Sequence, residues 1–229
     1  MKRLAIVPAR GGSKRIPRKN IKNFNGKPML EYVLNCLTKS SLFDEIHVST
    51  EDDEIKRVAE QLLKKEQFYR PLSLSTDQIP IIDVVKYVNS YYHDSKRLYF
   101  DEIWLLMACN PLITPQHLSL AASFYDQTDK LYPLLSVCQY NVPIQWALQY
   151  DDNKLVPVDS SQMQTNSNTL KKSYHDTGNF AVFTTQNLES YDIKDGFYGF
   201  EIPKSVGIDI DDSEDWIIAE AIHKFYFNA

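Results

Sequence analysis

An apolar run, Leu4-Ala5-Ile6-Val7, leads directly into the basic stretch Pro8-Ala9-Arg10-Gly11-Gly12-Ser13-Lys14-Arg15-Ile16-Pro17-Arg18-Lys19-Asn20. The apolar run predicts a buried strand. The stretch at 8–20, called the basic loop below, offers glycines for close backbone approach and cations for oxygen ligands. A loop of this kind at the end of a strand predicts a binding site for phosphate.

The positive charge of the chain is concentrated around this loop. Nine of its 25 Lys and Arg residues and none of its 30 Asp and Glu residues lie in the first thirty positions, although the net charge is −5. A nucleic-acid-binding protein usually spreads its cations along an extended face. The concentration in one loop therefore favours a small phosphorylated ligand over nucleic acid. A basic, solvated N-terminal surface is the alternative.

Length and composition indicate a folded α/β protein. The 229 residues, 43% of them hydrophobic and only 7 of them Gly, exclude disordered and fibrous classes. No apolar run is long enough to cross a membrane, and the first apolar run is too short for a secretory signal. Cys36, Cys109 and Cys138 are widely spaced in apolar stretches, so we expect reduced, buried thiols in a cytoplasmic protein.

Apolar runs alternate with segments of helical periodicity along the chain. The pattern predicts helices at 28–37, 52–63, 81–91, from 115 and from 211, and strands at 4–7, 45–50, 103–107, 132–138, 179–183 and 206–210. This order predicts an α/β fold with a mostly parallel sheet flanked by helices and with right-handed crossovers.

The periodic pattern stops between residues 139 and 173. This segment is rich in Ser, Gln, Asn and Thr and contains the turn signal Asp151-Asp152-Asn153. Because strand signals resume afterwards, we interpret it as an arm inserted into a single domain that spans residues 1–229. The arm would act as a dimer contact or as a lid.

In open parallel sheets, ligands bind beyond the carboxyl ends of the strands. We therefore expect four segments to meet there: the basic loop, Ser49-Thr50, Ala108-Cys109-Asn110, and Asp209 with Asp211.

The basic loop is neither a Walker A motif nor a dinucleotide-binding Gly-x-Gly-x-x-Gly motif. It instead provides Gly11 and Gly12 for backbone approach and hydrogen-bond donors to phosphate oxygens from Arg10, Ser13, Lys14 and Lys19. Several such donors suit a triphosphate whose pyrophosphate leaves with growing negative charge. Arg15 and Arg18 fit solvated positions equally well.

Three further motifs carry candidate site residues. Asp209 and Asp211, two apart in an extended segment, project to one face and could hold Mg²⁺, although a helix-capping role for Asp211, Asp212 or Ser213 fits the composition better. Arg70 is a candidate nucleotide ligand, and Asp77 a candidate helix cap. His175-Asp176 fits a substrate-orienting or structural role better than a hydrolase triad, since no nucleophile elbow is present.

Together, the basic loop, Arg70-Pro71 and Ile208-Asp209-Ile210-Asp211 resemble the acylneuraminate cytidylyltransferases over essentially the whole chain. The resemblance implies a Rossmann-like nucleotidyltransferase fold, a homodimer with a protruding arm, Mg²⁺ dependence, and transfer from CTP to a nine-carbon 2-keto sugar acid. By position it implies CTP contacts, catalytic residues and metal ligands. The CTP contacts are Arg10, Gly11, Gly12, Ser13, Lys19, Asn20 and Arg70; the catalytic residues are Arg10, Lys14, Lys19 and Asp211; and the Mg²⁺ ligands are Asp209 and Asp211.

The chain departs from this family where the sugar should bind. Sialic acid enzymes usually carry Gln-Pro-Thr-Ser-Pro-Leu-Arg after the central strand, where this chain has Met107-Ala108-Cys109-Asn110-Pro111-Leu112-Ile113. The stretches at 143–145, 174–176 and 178–180 instead resemble the pseudaminic acid branch, although Asn166-Ser167-Asn168 replaces its Arg-Ser-Gln. These stretches predict a variant nonulosonic acid as substrate, bound by Asn110, Gln145, His175, Asp176 and Asn179.

Two other functions remain open at this point. The altered segments at 107–113 and 166–168 are compatible with a catalytically silent nucleotide-binding protein on the same fold. A cytidylyltransferase for an eight-carbon acid is the second alternative, although that group has a shorter and less basic first motif.

Overall fold

The computed structural model describes residues 1–190 and 192–227. Its strands are β1 (Arg3–Pro8), β2 (Asn23–Phe24), β3 (Lys27–Pro28), β4 (Glu45–Ser49), β5 (Glu102–Leu106), β6 (Leu134–Gln139), β7 (Leu148–Asp151), β8 (Lys154–Pro157), β9 (Tyr174–Thr184) and β10 (Tyr198–Glu201). Its helices are α1 (Met29–Ser40), α2 (Asp53–Leu63), α3 (Ile81–Lys96), α4 (Pro115–Asp126), α5 (Thr185–Ser190) and α6 (Ser213–Phe227).

Six strands form the central sheet in the order β10-β6-β9-β5-β1-β4. β9 is antiparallel to both neighbours, and the other pairings are parallel. The predicted mostly parallel sheet with flanking helices is confirmed. Within the described residues, none of the helices combines the length and the apolar character that crossing a bilayer requires.

The first apolar run is continuous because β1 is buried on both faces. Leu4 and Ile6 pack in one cluster with residues of α3, whereas Ala5 and Val7 pack in another with residues of α1, α2 and α4. At about 1.5–3 kcal/mol for each large buried aliphatic side chain, this run alone stabilises the fold substantially. It also fixes the strand from which the basic loop departs.

A third apolar cluster joins the start of the chain to its last helix. Ile16 of the basic loop and Phe24 of β2 pack with Ile210 and with Trp216 of α6. The ring of Phe24 meets that of Trp216 edge to face, with centroids 5.3 Å apart. This cluster places the segment around Ile210 beside the basic loop.

A buried carboxylate fixes the amino edge of the sheet. Glu102 is 1% exposed; its Oε2 accepts a hydrogen bond from Arg3 Nε at 2.8 Å, and its Oε1 accepts one from Lys130 Nζ at 2.7 Å. The Nε1 of Trp104 also donates to Oε2, at 3.2 Å. These three partners offset the free-energy cost of removing the Glu102 charge from water.

The strand expected at 206–210 is wrong. After β10, which the sequence pattern did not reveal, the chain turns at Pro203, whose carbonyl accepts hydrogen bonds from the N–H groups of Val206 and Gly207. Residues 206–210 then continue outside any strand and do not join the sheet. β10 occupies the edge position beside β6 instead. The segment therefore crosses the carboxyl ends of the strands.

Residues 140–173 lie between β6 and β9. They contain the antiparallel pair β7 and β8, which forms a separate two-stranded sheet. The predicted turn at Asp151-Asp152-Asn153 connects these two strands, and Asp152 takes a positive φ of 43°. This segment keeps the name arm below.

We predict that Gly207→Ala destabilises the protein by about 1–3 kcal/mol, because the new methyl group overpacks a filled site. A Cβ atom there would lie 2.6 Å from Cys138 Sγ and 2.8 Å from Thr177 Cγ2. Urea unfolding of both proteins measures the difference. Gly12→Ala is the control: a Cβ atom at Gly12 has nothing within 4 Å, so its unfolding midpoint should stay at the wild-type value.

Candidate active site

A cavity of about 270 Å³ lies at the carboxyl edge of the sheet, where ligands of such folds bind. Its lining comes from the basic loop, the residues directly after β5, a short part of β9 and residues 208–211, with Arg70 and Ile81 added from two further segments. Its wall includes nine residues that the sequence predicted for the site: Arg10, Ser13, Lys14, Lys19, Asn20, Arg70, Asn179, Asp209 and Asp211. Met107, Ala108, Cys109 and Thr177 also line it.

Asn20 braces the basic loop from inside. Its side chain is 7% exposed, and its Nδ2 donates to the Arg10 carbonyl at 2.9 Å. Cys109 Sγ donates to Asn20 Oδ1 at 3.4 Å. Cys109, which was expected to be buried, is half-buried in the cavity wall. Withdrawal from water still raises the pKa of its thiol to about 12, which keeps it protonated and able to donate.

Asp77 holds two cations of the loop. Its carboxylate forms an ion pair with Arg10 and accepts from Lys14 Nζ at 2.6 Å. These hydrogen bonds, from Lys14 and then Arg10, hold the pKa of Asp77 below its usual value. The helix-cap interpretation of Asp77 is wrong, because α3 begins at Ile81 with Pro80 at its N-cap.

Arg18 is not a solvated cation. Its guanidinium forms a two-pronged ion pair with Asp52 and also contacts Glu54. Asp52 in turn caps α2, accepting from the N–H groups of Glu54 and Ile55 at 3.0 Å each. The hydrogen bonds with Asp52 raise the pKa of Arg18, and they lower that of Asp52. Gly11 is required beside this pair, because a Cβ atom there would lie 2.4 Å from Asp52 Oδ2.

The two glycines of the loop differ in their surroundings. The N–H of Gly11 donates to Glu51 Oε1 at 2.8 Å, so it is already engaged by a carboxylate. Gly12 is exposed and has open space around it. Arg70, which is 5% exposed, donates from Nη2 to the other oxygen of Glu51 at 2.7 Å. The sequence did not single out Glu51, although it follows β4 directly.

The acidic pair Asp209 and Asp211 lines the opposite wall. Ile210 between them is fully buried in the third apolar cluster, so both carboxylates face the cavity. Lys19 Nζ donates to the Ile210 carbonyl at 2.6 Å, and Arg15 Nη2 contacts Asp211 Oδ1 at 2.6 Å. Although this segment is not a strand, alternate side chains still face opposite ways, so the two carboxylates lie on one side as predicted.

The helix-capping expectation is confirmed for Asp212, one of the three residues named for it. Asp212 accepts from the N–H groups of Glu214 and Asp215 at 2.8 and 3.0 Å, at the start of α6. Asp209 has no hydrogen-bond or ion-pair partner within residues 1–190 and 192–227. Partial withdrawal from water, reinforced by the charge of Asp211, raises its pKa. Such a carboxylate, without a hydrogen bond or ion pair among the described residues and beside a second carboxylate, suits a hard divalent cation.

The described residues contain no group of three or more His, Cys, Asp and Glu side chains that could hold a metal ion. Asp209 and Asp211 together offer two carboxylates to the cavity. This number suits Mg²⁺, which usually takes one or two carboxylates and fills the rest of its octahedron with phosphate oxygens and water.

A local irregularity of β6 and β9 positions Asn179. The register of the two strands shifts between Leu135 and Val137, and Gly178 takes a φ of 67°. The Oγ of Ser136 fills the gap, accepting from the N–H of Phe180 at 3.0 Å. The side chain of Asn179 is buried and lines the cavity, and its Oδ1 lacks a hydrogen-bond partner among the described residues.

Four residues predicted to bind the sugar lie outside the cavity wall. Asn110 is 2% exposed and pairs with Asn179: its Oδ1 accepts from Asn179 Nδ2 at 2.6 Å. His175 and Asp176 line separate surface pockets along β6 and β9. Gln145 lies in the arm. In a single chain, only Asn179 of this set reaches the cavity.

Comparison with known proteins identifies the family of the chain. Residues 4–206 match the cytidylyltransferase family. The chain is 34% identical over 227 residues to the pseudaminic acid cytidylyltransferase of Campylobacter jejuni, covering 98% of this chain and 97% of that protein. It is 28% identical to the CMP-N,N'-diacetyllegionaminic acid synthase of Legionella pneumophila, covering 97% and 96%.

The fold is also similar to a solved structure. A CMP:2-keto-3-deoxy-manno-octonic acid synthetase complexed with CTP superimposes with a TM-score of 0.71 at 15% identity, covering 97% of this chain and 98% of that one. At that identity the similarity concerns the fold alone.

Proposed function

The chain belongs to the cytidylyltransferase family, and we propose that it couples CTP to a nonulosonic acid of the pseudaminic type, giving a CMP-sugar and pyrophosphate. One observation carries the proposal: a single cavity sets the cations of the basic loop opposite the acidic pair Asp209 and Asp211. Cations suit a triphosphate, and the two carboxylates suit the divalent metal that such enzymes generally use.

The nucleotide would lie along the basic loop. Arg10 and Lys14, now paired with Asp77, are placed to exchange that carboxylate for phosphate oxygens. Ser13 and Arg70 add hydrogen-bond donors from two sides of the cavity. Gly12, with open space around it, allows the close backbone approach of a phosphate. Gly11 and Asn20 would act by shaping the loop.

In the reaction, the anomeric hydroxyl of the sugar attacks the α-phosphorus of CTP. The new phosphorus–oxygen bond forms as the bond to the bridging oxygen of pyrophosphate breaks, and the hydroxyl proton is released. Lys19, fixed by the Ile210 carbonyl, and Arg10 stabilise the charge that grows on the departing pyrophosphate. Mg²⁺ held by Asp209 and Asp211 would supply further neutralisation of that charge when bound.

The proposed sugar substrate is supported by the names of the relatives and by one side chain of the cavity. The Campylobacter and Legionella relatives are named for pseudaminic and legionaminic acids, which supports an acceptor of this nonulosonic class. Asn179 offers a buried, unpartnered Oδ1 to the substrate. Asn110 supports it from behind, since the two side chains are hydrogen-bonded to each other. His175, Asp176 and Gln145 would contact the sugar only at the rim or in an assembly.

The arm supports a homodimer. Its Val142, Ile144 and Leu155 are exposed at 61%, 47% and 52%. Gln145 Oε1 and Trp146 Nε1 are buried without hydrogen-bond partners among the described residues. Exposed apolar side chains beside unsatisfied polar atoms are typical of an interface that a second chain completes. The three free thiols and the use of CTP fit a cytoplasmic enzyme.

The substrate proposal predicts pyrophosphate release from CTP and Mg²⁺ with at least one member of a panel of pseudaminic, legionaminic, N-acetylneuraminic and eight-carbon 2-keto acids. We expect the highest kcat/KM with pseudaminic acid. A coupled pyrophosphate assay measures this, with UTP and CTP without sugar as controls. Turnover with the eight-carbon acid alone would contradict the proposal, as would no turnover with any acid.

Two adjacent aspartates provide a matched test of the acidic pair. Asp211→Ala should lower kcat/KM at least about a hundredfold, because a metal ligand and its charge are removed. Asp212→Ala should keep turnover but lower the free energy of unfolding by about 1 kcal/mol, because it removes the cap of α6. Equal activity losses in the two variants would refute the separate roles.

The homodimer predicts that Ile144→Asp shifts the protein towards monomer in sedimentation velocity at micromolar concentration, because a charge would be buried against the second chain. Leu131→Asp is the control. Leu131 is 62% exposed and precedes β6 at the opposite edge of the sheet, so its replacement should leave the dimer intact. A wild-type protein that sediments as a monomer would overturn the proposed assembly.

A further inference from the structure

Glu51 joins two nucleotide-binding elements that are distant in sequence. Its Oε1 accepts from the Gly11 N–H at 2.8 Å, and its Oε2 accepts from Arg70 Nη2 at 2.7 Å. Its side chain is only 15% exposed. Burial acts to raise the pKa of Glu51, but the hydrogen bonds from Arg70 and Gly11 outweigh it and hold the pKa below its usual value. The group is therefore an anion with both oxygens engaged.

The contact also fixes the orientation of Arg70. Its Nε donates to Ser75 Oγ at 3.1 Å, and the Ser75 hydroxyl in turn donates to the Pro71 carbonyl at 3.1 Å. The backbone N–H of Arg70 donates to the Thr50 carbonyl at 2.8 Å. A planar guanidinium held at Nε and Nη2 has a defined plane and edge. Neither of these two bonds uses Nη1.

Glu51 does not itself line the cavity, whereas Arg70 does. We therefore expect Glu51 to contact neither nucleotide nor sugar, so it does not qualify as a catalytic residue. Its carboxylate lies behind the wall, where it offsets the charge of Arg70 without presenting an unpaired anion to the triphosphate. Its second contact is with the backbone of the basic loop, directly beside Arg10.

We propose that Glu51 is a positioning residue for CTP, which holds the basic loop and Arg70 at the separation and orientation that the nucleotide requires. The inference rests on the proposed function only in assuming that CTP binds in this cavity. It assigns a role to a side chain that makes no contact with substrate. Removing the charge should loosen the loop and release Arg70 together, because both depend on the same carboxylate.

The test compares Glu51→Gln, Glu51→Asp and the control Glu102→Gln. Glu102 is also a buried carboxylate that bridges two cations, Arg3 and Lys130, but at the amino edge of the sheet. Isothermal titration calorimetry measures the Kd for CTP in each variant, and thermal unfolding measures Tm. Steady-state kinetics then separates the KM for CTP from the KM for the sugar.

We expect Glu51→Gln to raise the Kd and KM for CTP at least about tenfold, as the loss of a charge-assisted hydrogen bond predicts. The KM for the sugar should change less than about twofold, since the sugar contacts lie elsewhere in the cavity. Glu51→Asp keeps the carboxylate and should restore most of the affinity. Glu102→Gln should lower Tm as much as Glu51→Gln does, with an unchanged Kd for CTP.

A Kd for CTP within twofold of wild type in Glu51→Gln would overturn the inference, as would an equal rise in Glu102→Gln. These outcomes are separate from failure of the proposed function. A wild-type protein that binds CTP but activates no nonulosonic acid would refute the substrate, while the calorimetric comparison would still decide the role of Glu51.

Discussion

Ion pairs between the basic loop and carboxylates from distant segments hold the site in shape. Arg18 is fixed to Asp52 at the start of α2, and Arg10 and Lys14 share Asp77 before α3. Arg15 contacts Asp211. The loop has little regular structure of its own, so its conformation depends on these partners. Partly exposed pairs of this kind are individually weak, but several of them around one short segment restrict it from many directions.

These ion pairs change how the positive charge of the first thirty residues is interpreted. In the sequence, the first thirty residues look like an uncompensated cationic patch. In the folded chain, most of the loop's cations already have a carboxylate partner. Arg18 does not line the cavity, whereas Arg10 and Lys14 do, and under the proposed function a triphosphate would replace their shared partner Asp77. A triphosphate gains from several such exchanges at once, which a single phosphate does not.

Much of the fold was predictable because each central strand is marked in the sequence by a short and strongly apolar run. Leu4–Val7 and Ile103–Leu106 are buried on both faces, and a continuous apolar run of this kind predicts a buried strand directly from the sequence. β10 was missed because its four residues, Tyr198–Glu201, include a glycine and alternate only weakly in burial. Residues 206–210 have the alternation of a strand without strand partners, a distinction that depends on tertiary structure.

The residues of the site also divide into those that the sequence revealed and those that it did not. Arg10, Lys19 and Asp211 belong to compact motifs whose chemistry is visible in the sequence. Glu51 and Asp77 gain their roles only from cations that are far away in the chain, so local reasoning assigned a cap to one and nothing to the other. Asn110 follows β5, whereas Asn179 lies within β9; their side chains are hydrogen-bonded to each other, and of the two only Asn179 lines the cavity.

The hydrogen bond from Lys19 to the Ile210 carbonyl spans 191 positions of the chain. Together with the packing of Ile16 and Phe24 against Trp216, it makes the site a product of very non-local contacts. Closing so long a loop has an entropic cost that local structure does not offset. During synthesis, the basic loop emerges long before the acidic pair does, and until then the cavity lacks the wall that this pair forms. The two walls of the cavity can therefore meet only after residues 209–211 have been synthesised, behind all six strands of the central sheet.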